Sequence, residues 1–185
     1  MRHWWALLAV GTLVLGCKGK DDPKGGDDDD DDVYGNIDCG ADYDTPTPSS
    51  CLTDTIDCDS SFLATTVGGT TFFGLQQWKD AQCADWLGTE SDTTILDGPE
   101  RVYEFDVPDG KYGKVIVESP CEELELRAVK LGDTNCPSSP TNCRVATGDW
   151  DDQEVTALQG GNTYLIIVDG YDGGEGNFEL RSTCY

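Results

Sequence analysis

Apolar and polar residues alternate along most of the chain after Ser60. From Arg101 to Val107 the period is two, with Tyr103, Phe105 and Val107 on one face. From Tyr112 to Glu118, Val115 and Val117 share a face and Ile116 takes the other. Glu123 to Leu131 alternates through Leu124, Leu126 and Ala128, then changes phase at Val129 and Leu131, which predicts a β-bulge. Gln153 to Leu158 reads as a short strand. Thr163 to Val168 is almost continuously apolar, the pattern of a strand covered on both sides. Asn177 to Thr183 alternates again, with Phe178 and Leu180 inward. Turn residues separate these runs: Pro108-Asp109-Gly110, Gly132-Asp133, Gly160-Gly161 and the loop from Gly170 to Gly176. Short strands at this spacing predict an all-β sandwich or barrel. Leu75 to Leu87 departs from the pattern, its Leu75, Trp78, Trp86 and Leu87 falling at loose helical spacing, and is read as helical turns or a structured loop.

Several of these runs also form motifs: Arg101-Val-Tyr-Glu-Phe-Asp-Val-Pro108, Gly113 to Val117, Leu124 to Leu131, Gly160-Gly-Asn-Thr-Tyr-Leu-Ile-Ile-Val-Asp-Gly170 and Gly176-Asn-Phe-Glu-Leu180. Together they resemble the bacterial pre-peptidase C-terminal domain from about Cys58 to Cys184. The resemblance implies an antiparallel β-sandwich of jelly-roll type and a non-catalytic accessory or binding role, with no catalytic residues to carry over.

The chain's beginning has another character. A basic start (Arg2) leads into an apolar run, Trp4 to Leu15, that is shorter than the ~20 residues of a membrane span. It ends in Leu13-Val14-Leu15-Gly16-Cys17. This resembles the lipobox of bacterial lipoproteins, with Val14 where leucine is usual. The resemblance implies cleavage before Cys17, acylation of Cys17 and anchoring in the cell envelope, with the outer membrane as the default. Lys18 to Asp32 then carries eight aspartates, six of them consecutive, and no apolar residue. Like charges extend such a segment, and it cannot bury enough surface to order itself, so it reads as a flexible tether. The expected organisation is a signal peptide (1–16), a lipidated cysteine and acidic tether (17–32), an irregular disulfide-pinned segment (33–59) and a β-sandwich (60–185).

Of 12 basic and 36 acidic residues, removal of residues 1–16 takes one basic residue, Arg2, leaving 11 against 36 and a formal charge of −25. Phosphate binding requires a basic footprint, so nucleic acid is excluded as a partner. The single histidine is His3, inside the cleaved segment. Ser-His-Asp, Cys-His and His-based metal chemistry are therefore not expected. Paired carboxylates could still hydrolyse glycosides, but no pair stands out among so many acids. No enzyme activity and no cofactor are expected.

Lipidation of Cys17 would leave eight cysteines: Cys39, Cys51, Cys58, Cys83, Cys121, Cys136, Cys143 and Cys184. An even number in an exported chain predicts four disulfides, and no Cys-x-x-Cys pair suggests zinc. Spacing leaves the connectivity open. Cys136–Cys143, across the turn-prone Pro137-Ser-Ser-Pro140, is the leading expectation, followed by Cys58–Cys83, Cys121–Cys184 and Cys39–Cys51.

Two candidate ligand sites remain. The loop bearing Asp169, Asp172, Glu175 and Asn177 spaces oxygen donors with glycines and could hold calcium, although a solvated hairpin turn explains the same residues. Trp78, Trp86, Trp150 and Tyr171 could stack on sugar rings, although the first two could equally cap the core. The expected function is a lipid-anchored envelope protein with a non-catalytic structural or binding module. The competing readings are a calcium-dependent carbohydrate- or peptide-binding module and, behind it, a carboxylate-based hydrolase. Polysaccharide or another envelope protein would be the partner.

Overall fold

The computed structural model describes residues 37–48, 50–73, 98–131, 136, 143–149 and 151–185, all within the compact unit Val33–Tyr185. The expectations for Cys17, the tether, Leu75 to Leu87, Trp78, Cys83, Trp86 and Trp150 lie outside the described residues.

Ten strands form two five-stranded sheets among the described residues. They are β1 (Asp54–Ile56), β2 (Ser61–Thr65), β3 (Glu100–Val107), β4 (Tyr112–Glu118), β5 (Leu124–Lys130), β6 (Cys143–Val145), β7 (Thr147–Asp149), β8 (Asp152–Gln159), β9 (Asn162–Gly170) and β10 (Asn177–Cys184). The first sheet runs β1-β3-β9-β5-β6 and the second β2-β10-β4-β8-β7. All neighbouring pairs are antiparallel except β1 with β3. The class is the expected all-β sandwich. No helix among the described residues is long and apolar enough to cross a membrane.

Alternation dictates the packing. Tyr103, Phe105 and Val107 of β3, with Tyr164, Ile166 and Val168 of β9, face Val115 and Val117 of β4 and Phe178 and Leu180 of β10 in one buried core. At Gly113 a Cβ would come within 2.8 Å of Phe105 and Val107, so only glycine lets β4 approach β3 there. The continuous apolar run in β9 also has the predicted cause. Leu165 and Ile167 join Phe73, Val102 and Val129 in a second cluster that does not include the first core's residues.

The same two-sided burial corrects one expectation. The change of phase in β5 is not a bulge: β5 pairs with β9 in unbroken register from Leu124 to Lys130. Leu124, Leu126 and Ala128 enter the first core and Val129 the second, so both phases are apolar. The register shift lies instead between β4 and β8, at Gly113/Val115, where Ala157 has φ 55. The segment 33–59, expected to be irregular, contributes β1. Of its three residues Ile56 alone is buried, too little for alternation to show.

One side chain ties the sheets together. Gln153 of β8 reaches across to β5, its Oε1 accepting from Leu126 N–H at 2.7 Å and its Nε2 donating to the Leu124 carbonyl at 2.9 Å. Disulfides add covalent ties: Cys39–Cys121, Cys51–Cys136 and Cys58–Cys184. All four expected pairings are thereby corrected, since each involves at least one cysteine bonded elsewhere. Cys143 is disulfide-bonded too, but not to Cys136. Sheet register, not sequence proximity, decides the partner. β2 and β10 pair with Ser61 opposite Arg181, and three residues back from Ser61 and three on from Arg181 the same antiparallel count sets Cys58 opposite Cys184.

Removing that last tie by Cys58→Ala/Cys184→Ala should cost about 2–5 kcal/mol of stability in urea unfolding. Mass spectrometry of a non-reduced digest should recover the three linked peptide pairs, and a Cys136–Cys143 peptide would contradict the fold. A second test concerns Tyr103, whose ring lies 5.4 Å from that of Phe62 and whose buried hydroxyl has no hydrogen-bond partner among the described residues. Tyr103→Phe keeps the ring and removes the unsatisfied group, so it should be neutral or stabilise by about 1 kcal/mol. A clear loss of stability would show that the hydroxyl is satisfied in solution.

Candidate functional site

The structure places the candidate donors of the acidic loop in different settings. Asp169 is buried at the end of β9. Asn177 is buried as well, and its Nδ2 donates to the carbonyls of Asp38 and Ala41 at 2.9 and 2.8 Å. It thus clips the segment carrying Cys39 onto β10. Asp172 and Glu175 are exposed, Asp172 in the left-handed region at φ 49. No group of three or more acidic, cysteine or histidine side chains suited to a metal occurs among the described residues. Tyr171 is half-buried against the second apolar cluster, a packing position rather than an exposed stacking face.

The structure brings together residues that sequence patterns did not single out. Strand parity sends Glu100 and Arg101 to opposite faces of β3. On the face of the second cluster, register aligns Glu100 of β3, Asp169 of β9 and Glu125 of β5 in one row across three strands, all three buried. Arg127 is buried beside them and forms an ion pair with Glu125. Glu100 Oε1 accepts from Phe72 N–H at 2.6 Å, Phe73 N–H at 2.9 Å and the Thr70 hydroxyl at 3.4 Å. Desolvation nevertheless pushes the Glu100 carboxyl from 4.5 up to about 7, with the backbone donors, Thr70 and the Arg127 charge opposing it.

On the other face, at the sandwich end, Arg101 is 3% exposed. Its guanidinium donates to three main-chain carbonyls: Thr65 through Nε at 2.8 Å, Pro46 through Nη1 at 3.2 Å and Val67 through Nη2 at 2.5 Å. Among the described residues no carboxylate forms an ion pair with it. Burial lowers its pKa, and Tyr103 opposes that shift. The side chain lines an open cavity of about 380 Å³ together with Asp42, Tyr43, Asp44, Thr45 and Val67. Asp42 and Asp44 are exposed at this cavity. Arg101 has the inward parity of Tyr103 and Phe105, which was the available signal that a charged side chain would be buried there.

A second concavity, about 400 Å³, lies where the end of β4 meets the β7–β8 hairpin. Glu118, Asp149, Asp151 and Asp152 line it with Ile37 and Pro120. Glu118 is buried and ion-paired with Arg181, so its charge is already answered.

Comparison with known proteins adds little to this geometry. No protein-family model matches the sequence, and no curated protein does. Among solved structures, the chain is similar to the pre-peptidase C-terminal domain of collagenase from Bacillus anthracis, at 17% identity over 71% of this chain and 96% of that one, with a TM-score of 0.44. It is also similar to Aeromonas hydrophila PliG, a periplasmic lysozyme inhibitor of g-type lysozyme, at 9% identity over 71% and 99% of the two chains, with a TM-score of 0.40.

The Glu100 row makes stability depend on pH. The native state holds this proton more tightly than the unfolded chain, so native stability is greatest below pH 4.5 as far as this group is concerned. It falls as pH rises from 4.5 to about 7, by a total of about 3 kcal/mol. Glu100→Gln keeps an acceptor for Phe72 and Phe73 and removes the ionisation. It should flatten that slope and raise the melting temperature at pH 8. Parallel stability–pH curves for wild type and variant would rule out a carboxyl held neutral in the fold.

Proposed function

We propose that the chain is a lipid-anchored, non-catalytic binding module of the bacterial cell envelope. The Leu13 to Cys17 motif, the acidic segment after it and the cross-linked sandwich support this reading. The observation that carries it is the Arg101 cavity, a concave surface at the sandwich end with a buried, permanently charged group in its lining. A guanidinium stays protonated near neutral pH, so it can hold a ligand's charge but cannot shuttle protons as a general acid or base. A site built around it suits binding better than turnover. Cys17 supplies the anchor, residues 18–32 the spacer and the sandwich the recognition surface, with the outer membrane as its place.

Cys17→Ser tests the anchor, because only the thiol can take up the diacylglycerol. Wild type should enter the detergent phase on phase partitioning, with a mature N-terminus at residue 17, and the variant should stay aqueous or unprocessed. A wild type in the aqueous phase, with another N-terminus, would overturn the reading.

A further inference from the structure

A buried cation with no carboxylate partner is costly unless an anion is brought to it. Among the described residues Arg101 is in that position: three neutral carbonyls satisfy its geometry, and none carries the negative charge that would balance it. Two aspartates line the same cavity, yet neither pairs with Arg101 among the described residues. Guanidinium has five N–H donors, and three are used, which leaves two for a ligand. A plain anion fits badly, because Asp42 and Asp44 at the cavity and a chain of net charge −24 would repel it. A plain cation is repelled by Arg101. A molecule carrying both charges meets each demand. The cavity's volume, about 380 Å³, falls within the roughly 300–1,000 Å³ of small-molecule sites.

We infer that the Arg101 cavity binds a small zwitterion of the amino acid or short-peptide class, its carboxylate toward Arg101 and its ammonium toward Asp42 and Asp44. This rests on the binding-module reading above and gives that module a ligand class. Tyr43 and Val67 supply apolar surface for the stretch between the two charges. Recognition by opposite charges at two ends is selective: loss of either charge on the ligand leaves one partner in the cavity unanswered.

The test uses the full chain in detergent, with alanylalanine in its L,L and D,D forms as probe, followed by calorimetry and by melting temperature. At least one stereoisomer should bind saturably and raise the melting temperature. N-acetylation and C-terminal amidation of that probe should each weaken binding about tenfold or more. Arg101→Gln should abolish binding, but it also removes the clip on Pro46, Thr65 and Val67 and could unfold the region. The decisive variant is therefore Asp42→Asn/Asp44→Asn, at exposed positions. It should keep the wild-type melting temperature without ligand, lose affinity for the zwitterion about tenfold and lose the discrimination against the N-acetylated probe. Absence of saturable binding by both stereoisomers overturns the inference, as does unchanged affinity in the double aspartate variant. If the capped probes bind as tightly as the zwitterion, the ligand class is wrong while the binding-module reading survives. Failure of the anchor assay would sink that reading independently.

Discussion

Leu165 and Ile167 of β9 are fully buried although they are not part of the core between the sheets, and much of the domain's architecture answers to that constraint. A strand with apolar side chains on both faces must be covered twice. The second sheet covers one face. Phe72, Phe73, Leu52 and Tyr171, all from outside the strands, pack with Val102 and Val129 on the other. The cover also explains why Glu100 is buried: the N–H groups of Phe72 and Phe73 end on its carboxylate, so the covering segment is stitched to β3 through a carboxyl. Glu125 and Asp169 follow from register alone, since each strand contributes its next outward residue to the same row. A polar patch buried under an apolar cover is the cost of having a central strand with no exposed side.

Strands with clean alternation were legible because one face of each meets a single core. β3, β4 and β10 fall where Tyr103, Val115 and Phe178 place them, and the apolar run of β9 correctly signalled cover on both sides. The misreading of β5 has the same physical origin as the success with β9. When both phases of a strand turn apolar partway along, a bulge and a second cover produce the same string of letters. β1, β6 and β7 are three residues each, shorter than two periods of alternation, so periodicity has nothing to measure. Cysteine spacing carries no pairing information here, because the β2–β10 register brings together residues 126 apart in sequence.

The site was less legible than the fold. Oxygen-rich loops resemble cation sites in sequence because the residues that bind calcium are also the ones that favour turns. In the fold, Asn177 spends its amide on Asp38 and Ala41, and Asp169 is drawn into the strand. Arg101 carries the opposite lesson. It stands one period before Tyr103 in an alternating strand, a position where a charged residue needs an explanation. Its partners are carbonyls contributed by Pro46, Thr65 and Val67, and carbonyls are common to every residue, so no letter in the sequence marks them. Gln153 is equally silent, because its amide serves the backbone of Leu124 and Leu126 rather than any distinctive side chain.

The Cys39–Cys121 bridge has a mechanical meaning. Tension arriving along the chain that precedes Cys39 passes through the sulfur–sulfur bond to Cys121, 82 residues further on. Everything between those two cysteines lies in a closed covalent ring and carries none of that load as chain extension. Asp42, Asp44, Thr65, Val67 and Arg101 all belong to the ring. A pull from the N-terminal side would therefore be steered around the cavity, and whatever occupies it could stay seated while the domain is dragged, sheared or shaken from that end.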